Sequence, residues 1–595
     1  MLSGHIAPTA PDFNTRLRDA MAMHGSGQLV GALHAYGALL QEVPTHFDAL
    51  HMQGVVQFQL GALPAALDSL EKALQSKPDD AAAHSNTGLV LRALGRLTDA
   101  LKEHDRALEL QPEFPQAWAN RGNVLRDLKR SAHAVTSYQN AIARQPDFAK
   151  ALHGLGLAQS DVGHWNEAVA AFDQAIAIQP GFAVAFLDRG NALRELDREL
   201  DAIQSYDLAL HHNPGYAQAW SNRGVLLKQM GRMDDALRSY EKALSCKPDF
   251  ADAMVNYSTL LKELMRLDES MQMTQGALAR VPDSAGAHLN LAICHLLRGD
   301  LPVGFQHYEW RWQTEQLQDN VRHFAQPLWL GQDLPAGSTV LLHAEQGLGD
   351  TLQFCRYAEQ VAARSLRVVL EVQPPLLALL QGLNGVDAVV ARGSVLPAFD
   401  AHCPLLSLPL ALKTTLTTIP APTPYLAADA TRNDTWSRRL GLASKIRVGL
   451  VWSGRTEHKN DHNRSIAAKD MATALDAGFE YHCLQKEIRF ADQVYLKSRP
   501  DLSVWSDDLT TFAETAALVA CMDLVISVDT SVAHLAAALG KPVWLLLPFS
   551  PDWRWLEDGE DSPWYPSMRI FRQPATGDWP TVLRQLAAAL RKFAI

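Results

Sequence analysis

Cysteine is scarce: six in 595 residues, at Cys246, Cys294, Cys355, Cys403, Cys483 and Cys521, with no Cys-x-x-Cys spacing. That spread excludes a zinc ribbon or a disulfide framework and fits core thiols in a reducing cytoplasm, the expected location. No apolar run approaches the roughly 18 residues of a membrane-spanning helix. The opening "MLSGHIAPTAPDFNTRL" has no basic stretch leading into an apolar core, so no secretory signal is expected. Positive charge is in deficit: 54 Lys and Arg face 65 Asp and Glu, a net charge of -11, which argues against nucleic-acid or anionic-membrane partners. No strand runs into Gly-x-Gly-x-x-Gly, so a nicotinamide cofactor is not expected. What remains is a globular composition, 47% hydrophobic and 20% charged, on a chain long enough for two to four domains.

The first half repeats. Prolines fall at Pro44, Pro78, Pro112, Pro146, Pro180, Pro214, Pro248 and Pro282, always 34 residues apart. Gly54, Gly88, Gly122, Gly156, Gly190 and Gly224 keep the same step, as do Ala66, Ala100, Ala134, Ala168, Ala202 and Ala236. In the unit 217–250, Trp220, Leu226 and Leu227 form one helix face, Ala236, Tyr240 and Ala243 the next, and Pro248 ends the pair. This pattern resembles the tetratricopeptide repeat, with eight full units over 13–284 and a degenerate ninth over 285–312. Such units bury their apolar faces only by stacking, which predicts an all-α superhelix with a concave groove.

Asparagine recurs at the sixth position of the unit, at Asn86, Asn120, Asn222, Asn256 and Asn290, with Gly154 and Asp188 breaking the series. A carboxamide both donates and accepts, so a ladder of them matches the peptide units of an extended chain. The resemblance here is to the repeats of the protein O-GlcNAc transferases, whose asparagines grip a polypeptide. The plainer reading is solvated or locally bonded helix residues. A basic series (Arg92, Arg126, Arg194, Lys228, Lys262) is explained equally by acidic partners or by a solvated face.

From about 337 the period vanishes and β-rich runs alternate with amphipathic segments. Strands are expected at 338–344, 366–372, 387–392, 446–452, 479–485, 524–528 and 542–547, with helices near 350–364, 374–383, 467–477, 512–522 and 531–540. Alternation of this kind predicts two doubly wound α/β domains, 337–426 and 446–595, with linkers at 313–336 and 427–445 and a cleft between the domains. Ligands in such sheets sit beyond the carboxyl ends of strands. There stand "QGLGD", ending at Asp350; "SGRTEHKNDHNRSI" (453–466), with Arg455, Lys459 and Arg464; Lys486 with Glu487; and Asp529, Thr530, Ser531 and His534 at a helix start. Exposed N–H groups and the dipole make a helix start a diphosphate site, though Asp or Thr there is also an ordinary cap. Asp350 allows two readings of its own, a base or a cap.

These residues carry a second resemblance. "GLGD" (347–350), "VGLVWSG" (448–454), "LQKE" (484–487) and "VDTSVAHLAAALGKPVW" (528–544) resemble glycosyltransferases of the GT-B fold, most closely the heptosyltransferase-like family 9, over roughly 337–595. The resemblance implies an inverting transfer from a nucleoside-diphosphate sugar to an acceptor hydroxyl. It gives the catalytic roles to Asp350 and Glu487. Donor binding falls to Ser453, Gly454, Lys459 or Arg464, Lys486, Asp529, Thr530, Ser531 and His534, and the acceptor side to Gly347, Gly349 and Gln353. The family's Asp-Thr/Ser-Gly reads Asp-Thr-Ser here, which leaves the sugar and nucleotide open. Asp-x-Asp, the carboxylate pair with which many transferases hold a metal, is absent, so no metal and no cofactor is expected. The repeats would then hold a polypeptide acceptor. The alternative is a repeat scaffold with an inactive transferase-like domain. The aromatic and acidic segment 548–566 is read equally as a lid or as a packed interdomain connection.

Overall fold

The computed structural model describes residues 12–456 and 460–593 and divides into two compact units, Met1–Pro248 and Asp249–Ile595. Lys459 lies outside the described residues.

The first unit is a tetratricopeptide repeat array of antiparallel helix pairs, running from Phe13–Gly25 to Met233–Cys246. Two local rules set its period. Each second helix stops at the residue before a proline, where Lys77, Gln111, Gln145 and Lys247 are all extended (ψ 85 to 89°), because the proline ring disfavours the helical region there. Each first helix ends in a left-handed residue: Gly27, Gly61, Gly95, Gly163 and Gly231 have φ of 74 to 80°, while Lys129 and Asp197 take the same place at 60 and 56° without glycine's freedom.

The repeated glycine inside each pair has a different use. A Cβ on Gly122 or Gly224 would lie 2.8 Å from the ring of Tyr138 or Tyr240, so the missing side chain is the socket for the large residue opposite. Those tyrosines are 1% exposed, and each such burial is worth about 1.5–3 kcal/mol. Neighbouring units are also joined by polar bonds, Arg92 to Asp127 and Arg126 to Asp161. The basic series is thereby partly committed to internal partners.

The second unit opens with the helices Ala251–Glu263, Leu267–Leu278, Ala285–Leu297 and Leu301–Tyr308 and continues into two parallel sheets. The first sheet comprises β1 (Thr339–His343), β2 (Arg367–Val372), β3 (Ala388–Ala391) and β4 (Ala401–Pro404), in the order β3-β2-β1-β4. The second comprises β5 (Ile446–Val451), β6 (Phe479–Cys483), β7 (Leu502–Val504), β8 (Leu524–Val528), β9 (Val543–Leu547) and β10 (Met568–Arg572), ordered β10-β9-β8-β5-β6-β7. Their near-continuous apolar runs suit burial on both faces. All seven expected strands form; β4, β7 and β10, too short or too polar to stand out, are additional.

The expected linkers are structured. In 313–336, Trp329 is 1% exposed, its N–H donates to the His402 carbonyl at 2.7 Å, and Leu328 bridges to His402, so this stretch extends the first sheet beside β4. In 427–445, Ala430–Leu440 is a helix seated by buried Trp436, whose indole N–H donates to Glu514. One hydrophobic core unites the last repeat helices (Leu297, Phe305), the first sheet (Val340, Leu370) and the tryptophan segment (Trp553, Trp564). The compact unit therefore begins at Asp249, inside the repeats, rather than at their end.

Candidate active site

The loop after β1 enters the helix Leu348–Phe354, and Asp350 stands at its third position. Its Oδ2 accepts the Gly347 N–H at 2.7 Å, the bond a capping residue makes. Its Oδ1 pairs with Nη2 of Arg554, which capping does not require. Burial pushes the Asp350 carboxyl above its usual value, against the pull of Arg554. Arg554 is 7% exposed and also donates to Asp552 at 2.8 Å and to Gln353 Oε1 at 2.7 Å. Gln353, expected to face an acceptor, is instead fully buried as a support for Arg554.

Directly against this loop lies the helix Ser531–Ala538, which follows β8. A Cβ on Gly349 would stand 3.0 Å from Cδ2 of His534 and 3.5 Å from the Ser531 Cα. The expected cleft is thus closed at this point to van der Waals contact. Thr530 occupies the N-cap but makes no side-chain cap; its hydroxyl lies 3.1 Å from that of Ser527. The capping explanation for "DTS" is not what the chain uses, and the helix start is left without a side-chain acceptor. His534 is enclosed: Nδ1 is 2.9 Å from the Tyr565 hydroxyl, the ring stacks on Trp555 at 5.3 Å, and Nε2 stands 4.0 Å from Asp529 Oδ1. Burial, with Arg554 and Arg356 nearby, drives its pKa well down, so the imidazole is neutral. Burial and the neighbouring Asp552 push the Asp529 carboxyl up.

The loop after β5 joins the same place. Arg464 donates to the Asp529 carbonyl at 2.9 Å, and its guanidinium occupies the space a Gly454 side chain would fill, 2.5 Å from that Cβ position. Gly454 is required here by that close approach. Nε of Arg464 is buried without a hydrogen-bond partner among the described residues, while Asp461 lies 3.8 Å from it and also holds Arg489. Ser453 is buried, its hydroxyl accepting from Gln485 at 3.0 Å. The structure thus gathers Gly347, Gly349, Asp350, Gln353, Arg464, Gly454, Asp529, Thr530, Ser531 and His534 around one junction. Lys486 and Glu487 depart from expectation. Lys486 donates to the Ser506 carbonyl, and Glu487 lies on the surface, 3.8 Å from Arg455, each about two-thirds exposed. Among the described residues, neither is hydrogen-bonded to Asp529–His534.

The segment 548–566 is a packed connection: Trp553, Trp555 and Trp564 are at most 3% exposed. Arg356, sandwiched 4.4 Å from the rings of Tyr425 and Tyr565, donates to the Trp564 carbonyl at 2.7 Å and pins it. Arg554 is the residue the sequence reading missed; within "PDWRW" nothing marks it apart from an ordinary surface arginine. The asparagine series also changes. Asn290 is 6% exposed and donates to Ser258 and Thr259 at 2.9 and 2.8 Å, so it is a structural residue rather than a groove ligand. Asn86 bonds His51 and Asn222 bonds Asn191, both at 2.8 Å, while Asn120 and Asn256 are half-buried.

Residues 509–574 match glycosyltransferase family 9 (heptosyltransferase). The second sheet carries a family 9 match. It spans Asp529, Thr530, Ser531, His534 and Arg554, but not Asp350, Arg464 or Glu487. The tetratricopeptide repeat matches 217–250, 25–81, 120–181 and 153–217, and a further TPR repeat match covers 88–129. Protein FlbA of Caulobacter vibrioides is 27% identical over 331 residues, 50% of this chain and 54% of FlbA. The chain thus spans about half the length of that curated relative. Among solved structures, a tetratricopeptide repeat protein from Parabacteroides merdae is 18% identical, covering 42% of this chain and 98% of its own, with a TM-score of 0.35. Pseudomonas aeruginosa pilF is 22% identical over 36% of this chain and 97% of its own, with a TM-score of 0.33. Repeats joined to a family 9 region support a glycosyltransferase-like function.

Proposed function

We propose that the chain is a metal-independent, inverting glycosyltransferase of GT-B type. It moves a sugar from a nucleoside-diphosphate sugar to an acceptor hydroxyl on a polypeptide held by the repeats. The observation that carries the reading is the uncapped helix start at Thr530–Ser531, beside Arg464 and against the Gly349–Asp350 turn, in a region that matches family 9.

Transfer needs a base for the incoming hydroxyl and stabilisation of the departing diphosphate. Asp350, its carboxyl pushed up by burial and paired with Arg554, is the base. The free N–H groups at Thr530–Ser531, their hydroxyls and the Arg464 guanidinium stabilise the leaving group. Neutral His534 supplies no charge and acts as a hydrogen-bonding wall. Glu487 enters this scheme only by closing inward from the surface.

One observation favours the scaffold alternative: both Asp350 oxygens are already engaged, by the Gly347 N–H and by Arg554. Calorimetry of the full chain with nucleoside diphosphates and their sugars, with and without EDTA, separates the two. The transferase reading expects EDTA-insensitive binding that weakens at least tenfold in Arg464→Ala. It fails if none of these ligands binds, or if binding needs a divalent ion.

A further inference from the structure

Arg311 follows the last repeat helix, in the turn Glu309–Gln313, and is 0% exposed. Its Nε and Nη2 donate to Glu345 Oε1 at 3.0 and 2.7 Å, and Nη1 donates to Glu309 Oε1 at 2.6 Å. Nη2 also reaches the Ser407 hydroxyl at 2.8 Å. The guanidinium lies 5.0 Å from the Tyr308 ring and 4.6 Å from that of Trp312. Tyr308 adds a second hold, its hydroxyl accepting from Gln346 Nε2 at 3.2 Å. Two successive residues of the loop that leads to Asp350 are therefore gripped by side chains from the end of the repeats.

The same repeat end reaches Asp350 by another path. Phe305 packs edge-on against Trp553 at 5.4 Å, and Tyr308 lies 6.2 Å from that ring. Trp553 immediately precedes Arg554, the cation paired with Asp350. The base and its counter-ion thus both rest on Phe305–Arg311.

A buried ion pair adds little net stability over apolar packing of the same volume, so its conservation of geometry is the better account of its presence. Glu345 depends on Arg311 for that geometry: Oε2 is buried without a partner among the described residues, and burial lifts the carboxyl to about 7 even with the guanidinium beside it.

We propose that Arg311 is a positioning residue for Asp350, and that the terminal repeat is thereby a working part of the transfer site rather than a tether. The activity arm of the test rests on the proposed function; the exchange arm does not.

Hydrogen exchange by mass spectrometry on the full chain compares wild type with Arg311→Met and Arg311→Lys. In Arg311→Met, peptides covering 344–351 exchange at least about tenfold faster while those of β5, β8 and β9 are unchanged, and Arg311→Lys restores part of the protection. In turnover, Arg311→Met lowers kcat at least about tenfold with donor KM within about twofold. Where Arg311→Met does not fold, Tyr308→Phe, which removes only the hydroxyl, speeds exchange several-fold in the same peptides. Unchanged exchange at 344–351 in the folded variant, or an equal rise in every peptide, overturns the proposal. A wild type inactive with every donor sinks the transferase reading and leaves the exchange result to decide this one.

Discussion

Gly349 lies flat against His534: a Cβ on the glycine would stand 3.0 Å from the imidazole Cδ2. The ring cannot retreat, because Trp555 stacks on it and Tyr565 holds Nδ1. Gly349→Val should therefore force the helices Leu348–Phe354 and Ser531–Ala538 apart. The expected cost is about 1–3 kcal/mol of stability, the usual range for overpacking, with turnover lost more steeply than the melting temperature. Urea denaturation and a transfer assay check this; a variant with normal stability and turnover would show that the contact is dispensable.

Asp350→Asn can still accept the Gly347 N–H, and Arg554 keeps Asp552 as its counter-ion. A fold close to wild type is expected, with turnover down by about 10²–10⁴-fold if the carboxylate is the base. Single-turnover kinetics beside a melting curve measure both. Near-normal turnover in the folded variant would reduce Asp350 to a cap.

Truncation discriminates between the repeats as a groove and as a structural support. A chain beginning at Asp249 keeps the whole second unit and should fold, bind nucleotide and fail to modify a protein acceptor. Removing 1–312 strips Phe305 from Trp553 and Arg311 from Glu345, so that fragment should melt far lower or aggregate. Scanning calorimetry and acceptor labelling of the two fragments report the outcome; equal acceptor labelling by the Asp249 fragment and the full chain would end the groove hypothesis.

His104 provides a pH test in the repeats. It fills the socket opposite Gly88, fully buried, with both ring nitrogens unpartnered among the described residues, and burial holds its pKa at about 4. The unfolded chain takes up a proton near the ordinary histidine value of 6.5 while the folded chain does not, so this site's stability is intact above 6.5 and is lost as pH falls toward 4. Phe172 shows that an apolar ring fits the equivalent socket opposite Gly156. His104→Phe should stabilise the protein by about 1–3 kcal/mol at pH 7 by removing the unsatisfied nitrogens. Its advantage should widen by on the order of 2 kcal/mol at pH 5, at about 1.4 kcal/mol per pH unit. Denaturant melts of both proteins at the two pH values decide it, and an advantage that does not grow would contradict the neutral buried imidazole.

The sequence by itself determined whatever depends on neighbours in the chain. Prolines stop the second helices by restricting the residue before them, and a glycine in one helix leaves a socket for the ring in the next, so the 34-residue period was readable as structure. Apolar strands and the polar loops at their ends were legible for the same reason, and the loops after β1, β5 and β8 do meet, while Lys486 and Glu487 after β6 stay apart. Tertiary structure decided which side chains remain available once they meet. Asn290 looked like a member of a groove series but is buried among Ser258 and Thr259, and Gln353 is a support for Arg554. Arg554 and Arg311 were invisible because an arginine in a loop carries no periodic signal. Their meaning lies in carboxylates distant along the chain, Asp350 and Glu345, and a buried guanidinium can be told from a solvated one only when the fold supplies its partner and excludes the water.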